Sequence, residues 1–102
     1  MSDNDANTVA EKKPKTKRPR LYKVMLENDD FTPREFVVKL LKSVFRMSDE
    51  EAYMIMMAAH QQGNAVVSVY TRDIAESKAT EATGMAKEAG HPLYFAVAEQ
   101  SY

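Results

Sequence analysis

Two groups of residues have types and spacing that could do chemistry. Asn28-Asp29-Asp30 places three oxygen-bearing side chains in a row, immediately before Phe31-Thr32-Pro33. Such a run can close a turn through its own backbone, hold a metal, or gather acceptors around a cation. A calcium loop needs further ligands at alternating positions and a central Gly, and neither follows here, so no metal is expected. The second group is Met56 and His60, four residues apart and therefore stacked on one face of any helix that carries them. A lone helical His is more often a surface or hydrogen-bonded core residue than a functional one. Met54, Met56 and Met57 serve equally as gap-filling core or as adaptable pocket walls. Composition leaves an Asp/His hydrolase open, although the chain has no Cys and no Ser in an elbow or triad setting.

These residues must be positioned by a small scaffold. The chain has 102 residues and a mass of 11.5 kDa, 44% hydrophobic and 28% charged, which suits one globular domain and excludes a two-domain enzyme. Without Cys there is no disulfide or thiolate site, and a reducing cytoplasm is the expected compartment. There is no apolar run of spanning length and no charged and apolar leader at the start, so neither a membrane helix nor export is expected.

Charge divides the chain. Residues 1–20 carry six Lys/Arg against three acids and almost nothing apolar, whereas residues 21–102 carry eight against twelve. The expectation is a disordered basic tail over 1–20 and a folded domain over 21–102. The acidic body and the lack of aromatics among the tail lysines argue against nucleic acid.

Local signals set the element order. Leu21 to Leu26 reads as a strand that ends at the Asn-Asp-Asp turn. Thr32-Pro33-Arg34-Glu35 reads as a capping box with Thr32 as cap and Pro33 at the first helical position. The helix then buries Phe36, Val37, Leu40, Leu41, Val44 and Phe45. Ser48 followed by three acids opens a second helix, which runs to about Gln62 and stops at Gly63. Ala65–Tyr70 is a strand, Thr71 can cap a third helix to Ala89 closed by Gly90, and Leu93–Val97 is the last strand. The fold class is α+β in the order β-α-α-β-α-β, a three-stranded sheet packed against three helices. The short link at Met47-Ser48 makes the first two helices antiparallel neighbours and brings the Asn28–Thr32 loop near the second.

The run from Tyr22 to Val37, with Met56 to His60, Gly63, Ala75-Glu76-Ser77-Lys78 and His91-Pro92-Leu93, resembles the ClpS adaptor family across residues 21–97. The resemblance implies an adaptor without enzymatic activity or cofactor. It implies binding of N-degron peptides and proteins that begin with Phe, Tyr, Trp or Leu, and delivery to the AAA+ unfoldase ClpA or its equivalent. It maps α-amino recognition onto Asn28, Asp29, Asp30 and His60, and pocket walls onto Thr32, Arg34, Val37, Met56, Ala59 and Leu93. The chemistry agrees with that assignment, because an ammonium has three donors and no acceptor and suits an amide oxygen, a carboxylate and an imidazole nitrogen.

By the same resemblance Asp73 and Lys78 contact the unfoldase, and the tail assists transfer. Arg34 stands where many family members have Met, at a position that fences the pocket against β-branched side chains, and Ala59 stands where Val is common. The expected protein is a monomer with neither nucleic-acid nor membrane partner. The alternative is a structural interaction module, since the C-terminal domain of the ribosomal stalk protein resembles the same β-α-α-β-α-β order but lacks the Asn-Asp-Asp loop and the paired His.

Overall fold

The computed structural model describes residues 19–100; residues 1–18 of the basic tail expected over 1–20 lie outside the described residues. The chain forms β1 (Leu21–Glu27), α1 (Arg34–Phe45), α2 (Asp49–Gln62), β2 (Asn64–Thr71), α3 (Arg72–Glu88) and β3 (Tyr94–Glu99). The order is the one expected from the sequence, and boundaries differ by a residue or two. The three strands are antiparallel with β1 in the centre, in the order β2-β1-β3.

Period-two alternation turns Val24 and Leu26 of β1 inward, where they are fully buried. Opposite them on β2 the register shifts: Val24 faces Ser68 but Met25 faces Val66, so Val67 is the extra residue of a bulge. The bulge lets Val67 point into the core beside inward Ser68 and leaves Val66 and Val69 on the uncovered face. The helices cover the other face. Val37, Leu40, Leu41, Val44 and Phe45 of α1 are buried as their spacing requires, and Phe36 is half-buried. On α3 the buried stripe is Ala75, Ala79, Ala82 and Ala86, small side chains that suit close approach of a helix to the central and edge strands.

The caps follow the sequence at α2 and depart from it at α1. Ser48 Oγ accepts from the Glu51 backbone N–H at 3.2 Å, and Glu51 Oε1 accepts from the Ser48 N–H at 3.3 Å. Gly63 ends α2 in the left-handed region at φ 95°, as expected. Thr32, however, does not cap α1. The N-cap position is Pro33, with no side-chain cap bond, and the Thr32 hydroxyl turns away to Asp29. The helix starts one residue later than the capping box requires, which leaves Thr32 ahead of the N-cap, and its hydroxyl gives its proton to the Asp29 carboxylate instead. Thr71 does sit at the N-cap of α3, but its side chain makes no cap bond. Among the described residues no helix is long and apolar enough to cross a membrane.

Candidate functional site

The end of β1 and the end of α2 are tied together: the Asn28 backbone N–H donates to the Gly63 carbonyl at 2.9 Å. This bond places the Asn28–Thr32 loop beside the last turn of α2, where His60 stands. Between them opens a cavity of about 560 Å³, a volume suited to a small ligand. Its lining draws on four segments: the loop, the start of α1, the inner face of α2, and Leu93 ahead of β3. Leu93 is held in place partly by its neighbour His91, whose ring packs on Phe36 at a centroid distance of 4.7 Å.

The lining is apolar below and polar at the mouth. Val37, Met56, Ala59 and Leu93 form buried walls, with Leu26 of β1 at 1% exposure behind them. Asn28, Asp30, Arg34 and His60 are exposed at the rim, with Asp29 half-exposed. All ten residues expected at the α-amino and side-chain sites line this one cavity. Two lining residues were missing from that expectation, Leu26 and Pro33. Alternation in β1 could have supplied Leu26, since it shares an inward face with Val24.

Hydrogen bonds orient the rim. Thr32 Oγ1, on a residue only 6% exposed, donates to Asp29 Oδ2 at 2.5 Å, which fixes the carboxylate and leaves Oδ1 available. Asn28 Nδ2 donates to Asp30 Oδ1 at 2.9 Å, so the Asn28 amide oxygen remains an open acceptor. Arg34 Nη2 lies 2.9 Å from His60 Nε2. A guanidinium has no acceptor, so His60 Nε2 accepts this bond with its single lone pair. The rim is thus a ring of oxygen and nitrogen acceptors with one guanidinium among them. Among the described residues no cluster of three His, Cys, Asp or Glu forms a metal site.

Asp73 and Lys78 lie elsewhere. Asp73 is exposed in the first turn of α3, where its charge complements the helix dipole. Lys78 is half-buried and donates from Nζ to the Val44 carbonyl at 2.8 Å, satisfying an orphan acceptor at the end of α1.

Residues 17–96 match the family model of the ATP-dependent Clp protease adaptor protein ClpS. The chain belongs to the ClpS family. A ClpS adapter from Rhizobium meliloti is 61% identical over 95 residues, covering 93% of this chain and 94% of that protein. One from Deinococcus radiodurans is 45% identical over 89 residues, covering 87% and 79%. The solved structure of Agrobacterium tumefaciens ClpS2 bound to L-phenylalaninamide superposes with a TM-score of 0.80 at 60% identity, covering 81% of this chain and all of that one. Membership makes this chain a Clp protease adapter and decides against the ribosomal-stalk alternative. The ClpS resemblance drawn from Tyr22–Val37, Met56–His60, Gly63, Ala75–Lys78 and His91–Leu93 is borne out.

Proposed function

We propose that this adapter binds the first residue of proteins that begin with Phe, Tyr, Trp or Leu and delivers them to a Clp AAA+ unfoldase and its peptidase. The observation that carries the reading is the set of acceptors at Asn28, Asp29, Asp30 and His60, gathered at the mouth of an apolar cavity. The free α-ammonium is held at that rim. The first side chain descends between Val37, Met56, Ala59 and Leu93, with Thr32 and Arg34 at the upper wall. Agrobacterium tumefaciens ClpS2 is bound to L-phenylalaninamide, a molecule with a free amino group and an aromatic side chain, and its likeness to this chain supports the reading.

Delivery is assigned to other parts of the chain. Asp73 and Lys78 contact the unfoldase, Lys78 with the ammonium donors left after its bond to Val44. The basic tail promotes transfer. The protein acts as a cytoplasmic monomer, without catalysis and without a cofactor.

The test compares two peptides that differ only at the amino group. Acetylation removes the cation from a rim built of acceptors and sacrifices two or three charge-assisted bonds. Each is worth about 1.5 kcal/mol once discounted for exposure. A Phe-initiated peptide with a free amino group is expected to bind at least about 100-fold more tightly than its acetylated counterpart in fluorescence anisotropy. Equal affinities would refute the reading.

A further inference from the structure

The rim holds one group that the binding of an ammonium does not use, the guanidinium of Arg34. It occupies His60 Nε2 at 2.9 Å, the atom assigned above to the substrate amino group. An imidazole nitrogen has one lone pair, so guanidinium and ammonium cannot both bond to it. Substrate entry therefore displaces Arg34, which stays charged and stays near the mouth because its Cα is fixed at the start of α1.

We propose that Arg34 is a specificity-determining residue that makes the adapter prefer substrates with a carboxylate, Asp or Glu, at the second position. The proposal rests on the N-terminal-residue reading. Its logic is the charge of the occupied rim. Asp29 and Asp30 bring two negative charges, the ammonium one positive, and Arg34 a second positive, so the filled site is neutral. Without Arg34 the filled site is left one charge negative and repels a carboxylate.

With Arg34, the displaced guanidinium offers a planar fork of donors beside the substrate's exit path, and a carboxylate can accept two parallel bonds from it. The second residue is the side chain that can reach it, because its Cα lies one peptide unit, about 3.8 Å, from the first. Among the described residues, Arg34 is the one Lys or Arg that lines the pocket itself. A groove of about 400 Å³ adjoins the pocket, shares Arg34 and Met56 with it, and carries Lys39, Lys42 and Glu35. Lys42 is paired with Asp49 at 2.6 Å, and Glu35 has the wrong sign.

The experiment uses the full chain and three free-amino peptides, Phe-Glu, Phe-Gln and Phe-Lys, identical beyond the second residue. Each is titrated against wild type, Arg34→Met, which keeps an unbranched stem without the charge, and Arg34→Lys. Wild type is expected to bind Phe-Glu about three- to tenfold more tightly than Phe-Lys, a ratio that shrinks at high salt. Arg34→Met is expected to reverse the order and to bind Phe-Gln several-fold more tightly than wild type, because no guanidinium has to leave His60. Arg34→Lys retains the sign of the preference with a smaller ratio, since it lacks the fork.

If wild type and Arg34→Met discriminate equally, or wild type prefers Phe-Lys, the proposal is overturned while the N-terminal reading stands. If none of the free-amino peptides binds wild type, the N-terminal reading itself fails. Should Arg34→Met not fold, Arg34→Gln, which also lacks the charge, takes its place in the comparison.

Discussion

Replacing Thr32 by Val changes one atom of the rim and almost nothing else. The side chain is 6% exposed and Val reproduces its shape, so no cavity opens. What disappears is the donor to Asp29 Oδ2 at 2.5 Å. A bond to an ionised acceptor is worth about 1.5–3 kcal/mol, but Asp29 is half-exposed and water takes over as its donor, which leaves about 1 kcal/mol of stability at stake. For a domain of this size that is a melting temperature lower by about 4–8 °C.

The consequence for binding is separate. A carboxylate no longer held in one rotamer has to be ordered by the ligand, at about 0.5–1.5 kcal/mol, so affinity for a free-amino Phe peptide falls about two- to tenfold. The acetylated peptide never used that carboxylate, and its weak binding stays unchanged. Thermal melts and anisotropy titrations on wild type, Thr32→Val and Thr32→Ser check both quantities, with Ser restoring the hydroxyl. If Thr32→Val melts early yet binds the free-amino peptide as wild type does, Asp29 does not hold the ammonium and the assignment of the rim is wrong.

Three further outcomes are expected. His60→Ala removes the imidazole acceptor from the rim, so it should bind a free-amino Phe peptide several-fold more weakly than wild type while binding of the acetylated peptide is unchanged. Gly63→Ala adds a methyl group that meets no atom within 4 Å, but φ 95° strains any residue with a Cβ by about 1–2 kcal/mol. Melts should show that loss, and peptide affinity should fall with it, because the Gly63 carbonyl anchors Asn28. Deleting residues 1–18 removes no part of the cavity, so affinity for a Phe peptide should hold while degradation of a Phe-initiated reporter by the unfoldase and peptidase stops; degradation at the full rate would strip the tail of its delivery role.

What was legible in the sequence was whatever a few neighbouring residues decide. The α1 stripe from Val37 to Phe45 is a matter of period, and the Ser48–Glu51 box is a matter of two side chains three apart, and both appear as expected. Thr32 marks the limit of such local rules. Its capping pattern is complete, yet the helix starts one residue later, after Pro33, and the hydroxyl gives its proton to Asp29 three residues upstream, a contact that no rule looking only downstream along the helix includes. The bulge at Val67 is equally hidden, because register is a property of a strand pair and one strand does not reveal it.

The site was legible for a different reason. Its walls come from four segments of the chain, and periodicity could place Met56 and His60 on one face without saying what they faced. The ClpS resemblance supplied the missing juxtaposition. At Arg34 the sequence offered only an aliphatic stem and a charge of unknown direction. The direction is set by a partner 26 residues away, His60, through a bond between two exposed side chains. That bond makes a residue of the pocket wall part of the rim as well and places its charge at the mouth of the pocket. A difference in substrate choice between this adapter and relatives with Met at that position should therefore appear at the residue outside the pocket rather than at the one within it.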